Sequence, residues 1–273
     1  MFRRPLRAAP VGGLDTEMTM RTAPWPAGAP CWADLTVPDV AAAQSFYADV
    51  LGWTYPDSDE DAGAYVIGHR HGAAAAGIGP QAEPGQPVSW TLYLASDDAD
   101  ATAAAVTAHG GTVLLPPDDA GSLGRMLIAR DPAGAVFGVW QAGGHIGASI
   151  VGEPGGITWE DLRSTAPDAA RTFYAAVFGY EWAPVPMAGP DYTTFSLAHE
   201  EPPLGGVGGM MGAEGLPSHW LVYFGVASVP AAVAAAERGG GSVLVPPFDS
   251  PYGSMAGLAD ADGAVFWIVE TPG

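Results

Sequence analysis

The sequence predicts an α+β protein made of four βαβββ modules, written as two tandem halves. Three observations carry this. The stretch "WADLTVPDVAAAQSFYADVLGW" (32–53) returns 127 positions later as "WEDLRSTAPDAARTFYAAVFGY" (159–180), with ten of 22 residues identical. A second repeat, "VSWTLYLASDD" and "SHWLVYFGVAS", recurs at an offset of 130. Finally, hydrophobic periodicity switches between helical and strand spacing in the same order in both halves.

Each half opens on a short strand (31–37; 157–164) and turns through "VPD" or "TAPD" into a helix. Val40, Ala43, Phe46, Tyr47, Val50 and Leu51 fall at helical spacing before Gly52; Phe173, Tyr174, Val177 and Phe178 do so before Gly179. Strand-like runs around "AYVIGH" and "DYTTFSLA" follow, then the glycine-rich "GIG" and "GGVGGMM". The second module of each half runs from its Trp-bearing strand through an alanine-rich helix to "HGG" or "RGGG". It closes on "TVLLPP" or "SVLVPP" and a hairpin turning at "DPAG" or "DADG" into "AVFGVWQ" or "AVFWIVE". The expected organisation is a disordered leader over 1–23, a first domain over 24–143, a Gly/Pro-rich linker over 144–156 and a second domain over 157–273.

Composition limits the function. With 273 residues, 48% of them hydrophobic, the chain can bury a full core, and no apolar run approaches the roughly 20 residues of a membrane-spanning helix, so a cytoplasmic location is expected. All ten basic residues are arginine, which excludes lysine Schiff-base chemistry. A net charge of −20 disfavours nucleic acid as a partner. The lone Cys31 offers neither a disulfide within the chain nor a thiolate cluster. "GGVGGMMG" lacks the strand-to-helix context and lysine of a phosphate loop, so it reads as close packing between strands.

The FY-x-x-V-h-G-[WY] motif after the first strand and D-x-x-G before the last, in this module order, resemble the vicinal oxygen chelate family of glyoxalases, extradiol dioxygenases and bleomycin-resistance proteins, and more narrowly its tandem glyoxalase-like members in actinobacteria. The resemblance covers about residues 29–272. It implies two half-open curved sheets with helices on the convex side, each forming a cup over a ligand. Its metal-binding members carry His or Glu at positions that here hold Trp32, Trp90, Gly138, Trp159, Trp220 and Trp267. None of these can ligate a divalent ion, so no metal and no cofactor is expected.

Strand alternation places Trp32, Asp34 and Thr36 on one concave face and Trp159, Asp161 and Arg163 on the other. Trp90, Leu92 and Leu94 are expected to line the first cup with Trp140, and Trp220, Val222 and Phe224 the second with Trp267. By the same count His219 and Cys31 point away from the cups. Tyr65, Tyr192 and the loop residue Tyr252 could supply hydroxyls, and "HEEPPLGGVGG" and the Tyr252 loop could close over a ligand. Indole walls suit flat aromatic or polycyclic ligands, although they could equally fill the cups as core. Asp34 and Asp161 are candidate acid/base groups, or else acceptors that fix the cup, with Arg163 beside Asp161.

Two function classes follow. One is a metal-independent protein that binds an aromatic metabolite or antibiotic. The other is a cofactor-independent tailoring enzyme of the lyase, isomerase, cyclase or hydroxylase type. A metal-dependent glyoxalase or dioxygenase is the third reading. A monomeric pseudo-dimer or a homodimer is expected.

Overall fold

In a computed structural model, residues 20–56, 65–83, 85–189, 191–198, 202–212 and 215–271 are described. Residues 1–19 of the leader expected over 1–23, and residues 199–201 of "HEEPPLGGVGG", lie outside the described residues. The first half contains β1 (Pro30–Val37), α1 (Val40–Leu51), β2 (Val66–Arg70), β3 (Ala73–Pro80), β4 (Ser89–Ala95), α2 (Ala99–Ala108), β5 (Thr112–Asp119), β6 (Gly124–Arg130) and β7 (Val136–Ala142). The second contains β8 (Ile157–Arg163), α3 (Pro167–Phe178), β9 (Glu181–Pro184), β10 (Thr193–Ser196), β11 (Gly205–Gly208), β12 (His219–Val226), α4 (Val229–Arg238), β13 (Ser242–Ser250), β14 (Gly253–Ala259) and β15 (Val265–Glu270). In the first module the strand matching β9 is reduced to a bridge between Thr54 and His69.

Modules pair within each half. The seven-stranded sheet runs β2-β3-β1-β4-β7-β6-β5 and the eight-stranded sheet β13-β14-β15-β12-β8-β11-β10-β9, with the Trp-bearing strands β1/β4 and β8/β12 antiparallel at each centre. Local chemistry sets the helix ends: Asp39, Asp98 and Ser228 cap α1, α2 and α4, while Pro167 at its first position starts α3.

The helices lie between the two sheets, α1 against α4 and α2 against α3, and one continuous core joins the halves. The repeated motifs make this seam. Tyr47 of the first FY pair donates its hydroxyl to Oδ2 of Asp260, in the D-x-x-G turn of the other half, at 3.0 Å, and receives the indole N–H of Trp90 at 3.2 Å. The reciprocal cluster unites Tyr174, Trp220 and Asp131. Trp220 donates to the Tyr174 hydroxyl at 2.9 Å, and burial followed by Asp131's charge pushes that phenol up. It is the looser one, because no hydrogen bond of good geometry reaches Asp131 Oδ2, although Tyr174 stands close enough to favour its charge. Thus the motif is written twice because each copy grips the other, as in a two-fold dimer joined into one chain.

Tyr47→Phe removes the acceptor of Trp90 and the donor to Asp260 in a buried seam. It is expected to cost about 2 kcal/mol in denaturant unfolding, and Tyr174→Phe less. Equal losses would contradict the asymmetry of the two clusters.

Two expectations fail here for one reason. Trp90 pairs across β1 with Leu35 and Leu92 with Ala33, and directly opposite residues share a face. Trp90, Leu92 and Leu94 therefore belong to the seam core, as do Trp220, Val222 and Phe224 in the second half. None of them lines a cup.

Candidate ligand site

The outer face of each sheet carries the same four-residue cluster, and Tyr93 and Tyr223 replace the expected tryptophans in it. In the first half Asp34 Oδ1 accepts the Trp32 indole N–H at 2.6 Å and the Tyr65 hydroxyl, and Tyr93 stands close enough to favour the carboxylate's charge. In the second half Asp161 accepts from Trp159 at 3.0 Å, Tyr192 at 2.6 Å and Tyr223 at 2.9 Å. The glycine-rich strands make room for this. Asp34 pairs with Gly77 and Asp161 with Gly206, and a Cβ on either glycine would overlap the Tyr hydroxyl and the carboxylate lying across it. Burial pushes the Asp34 carboxyl up, against the opposing effect of these three side chains.

The two faces then diverge. The chain after β7 turns back over the first one, with Ala148 N–H bonding the Cys31 carbonyl at 2.7 Å and Ser149 N–H the Ala74 carbonyl at 2.7 Å. His145 packs edge-on against Trp32, ring centroids 4.6 Å apart, and Trp140 and Trp25 donate to the His145 and Ala148 carbonyls. This strap leaves Trp32 only 4% and Trp140 9% exposed, with a hollow of about 180 Å³ bordered by Trp25, Trp140 and Asp97 at its edge. The stretch read as a linker therefore seals one cup.

Cys31 joins this sealed cluster instead of turning away, because the β1/β4 register shifts between Pro30 and Trp32. Burial, then Asp34's charge, pushes its thiol up, away from the thiolate form.

No comparable strap crosses the second face among the described residues, and Trp159 and Trp267 remain partly exposed there. Trp267 occupies the place of Gly138. It stacks on Tyr223 with centroids 5.3 Å apart and meets the half-exposed Phe248 edge-on at 6.3 Å. Arg163, the counterpart of Thr36, donates to Asp161 Oδ2 at 2.7 Å and lies against the Met211 sulfur. Its side chain is 11% exposed and that of Asp161 5%. His219 pairs with Arg163 across the strands and so shares this face, contrary to expectation, its Nδ1 bonding the Pro217 carbonyl. Tyr252, 74% exposed, stands in the β13–β14 turn. Arg125 is engaged by Asp100 and Asp119.

These donor sets do not fit a divalent metal. Each face offers one carboxylate whose lone pairs are directed at indole and phenol donors, and in the second half at a guanidinium as well. Among the described residues no three His, Cys, Asp or Glu side chains converge.

The duplicated βαβββ architecture and paired central strands are those of the Glyoxalase/Bleomycin resistance protein/Dioxygenase superfamily, whose profile matches residues 31–139 and 156–268, and the chain belongs to that family. It is 39% identical over 252 residues to a putative glyoxylase, CFP32, of Mycobacterium tuberculosis (89% of this chain, 95% of the relative). It is 38% identical over 258 residues to the anthracycline biosynthesis protein DnrV of Streptomyces peucetius (89% and 93%). Among solved structures, the Mn(II)-bound glyoxalase from Novosphingobium aromaticivorans matches with a TM-score of 0.63 at 19% identity, covering 89% of this chain and 82% of that one. At that identity the likeness speaks for the fold alone. No helix among the described residues is long and apolar enough to cross a membrane.

Proposed function

We propose that the protein binds a planar aromatic or polycyclic metabolite, without a metal, on the outer face of its second half. The observation that carries this reading is the contrast between the faces: the same Trp-Asp-Tyr-Tyr cluster is strapped shut in one half and keeps Trp159 and Trp267 accessible in the other. Partly exposed indoles beside Phe248 and Tyr192 offer flat stacking area, and the N–H groups of Arg163 not given to Asp161 offer donors to ring oxygens. The 38% identity to a protein of anthracycline biosynthesis supports a polycyclic aromatic ligand.

Polycyclic quinones are expected to quench tryptophan fluorescence saturably. Each stacked indole contributes about 0.5–1.5 kcal/mol beyond its buried area, so Trp159→Leu with Trp267→Leu should weaken binding roughly tenfold or more. Trp32→Leu with Trp140→Leu should leave affinity unchanged. Equal losses from both pairs, or no ligand in a broad aromatic panel, would overturn the assignment.

Arg163 favours a second reading, a cofactor-independent lyase, isomerase, cyclase or hydroxylase-type enzyme in which Asp161, held by the Tyr192 and Tyr223 hydroxyls that donate to it, acts as acid/base. Mass spectrometry of the ligand after incubation separates the two: an unchanged ligand supports binding, a converted one catalysis.

A further inference from the structure

The seam carries a second concave feature. A groove of about 330 Å³ opens between the last turn of α1, the end of β2, the chain at Pro154–Gly155 and α4, so both halves contribute walls. Arg70 is built into it. Its Nη1 donates to the Gly52 carbonyl at 3.1 Å, and its side chain is wedged between Gly52 and Gly155, where a Cβ would come within 2.7 Å of Nη1 and 2.9 Å of Cγ. Its Nε is buried without an acceptor. Arg238, exposed on α4, borders the same groove.

No carboxylate lies within ion-pair distance of Arg70 or Arg238 among the described residues, whereas Arg163 holds one and Arg125 and Arg171 hold two each. Asp49 is the single acidic residue in the wall, so the groove is locally positive in a chain of net charge −20. The start of α4 adds little, because Glu270 and Ser228 already accept from its Val229 and Ala231 N–H groups.

Nε is enclosed by the groove wall, but the guanidinium as a whole has no counter-ion, and its planar fork matches phosphate and carboxylate oxygens. We propose that this groove binds a small oxyanion-bearing metabolite, a phosphate ester or a polycarboxylate, with Arg70 as the recognising group and Arg238 as a second charge at the rim. Occupancy would link α1 to α4 and stabilise the joined halves by mass action. The site is separate from the aromatic face.

The test is thermal unfolding and titration calorimetry with inorganic phosphate and with citrate, against chloride at matched ionic strength. A saturable rise in melting temperature with either anion is expected; the anion that acts identifies the class. Arg70→Gln should weaken binding at least tenfold. Arg238→Gln, at an exposed position, should weaken it several-fold while leaving the unliganded melting temperature unchanged. No saturable response to either anion overturns the proposal, as does undiminished affinity in Arg70→Gln. Should Arg70→Gln fail to fold, unchanged affinity in Arg238→Gln overturns it alone.

Discussion

Asp161→Ala is expected to destabilise the protein by about 3–5 kcal/mol, more than Asp34→Ala. Both changes orphan an indole N–H and at least one phenol hydroxyl, but only the second half loses two phenol acceptors and the counter-ion of a largely buried guanidinium. Adding Arg163→Thr, which copies the first half's Thr36, should recover part of the loss by removing the stranded charge. Denaturant unfolding at pH 7 gives the four values. If Asp34→Ala costs as much, or the double substitution recovers nothing, the Arg163 pair has no separate weight in holding this face.

Glu160→Gln is expected to stabilise. Glu160 sits between Trp159 and Asp161 on β8 and so faces the seam, at the place where the first half has Ala33. Burial, and then Asp161's charge, pushes its carboxyl up to about 8. The unfolded chain releases that proton near pH 4.5, so between about 4.5 and 8 the folded state holds more protons and stability falls as pH rises; above about 8 the penalty is constant. Each pH unit is worth about 1.4 kcal/mol, so glutamine should gain about 3 kcal/mol at pH 7, roughly 6–12 °C in melting temperature, and almost nothing at pH 4. A gain independent of pH would show that packing, not ionisation, is responsible.

The repeat, the module order and the helix limits were legible because apolar spacing and stop residues mark them directly. The direction in which β4 and β12 face was not. "WTLYL" and "WLVYF" are apolar at nearly every position, so alternation supplies no polar marker, and only pairing with β1 or β8 decides the face. Counting from the tryptophans placed Trp90, Trp220 and Phe224 on the wrong side and hid Tyr93 and Tyr223, although these two recur at the same offset of 130. Trp32, Asp34, Trp159 and Asp161 were placed correctly on their faces because a polar residue two positions on fixes the parity. The sealing of the first face could not be read, since it depends on where the chain after β7 lies, and "GGHIGAS" carries no periodicity.

The grip of Tyr47 on Asp260 joins residues 213 positions apart, and Trp53 reaches across 102 to the Gly155 carbonyl. On a ribosome adding about 5–20 residues per second, the first FY motif emerges roughly ten seconds or more before the turn that receives it. During that interval α1 has no α4 to cover it, and Phe46, Tyr47 and Trp53 present an aromatic patch to solvent or to a chaperone. Joining two copies in one chain thus exchanges a search between molecules for a long wait within one, and a nascent first half is the species most open to mispairing with a neighbour's.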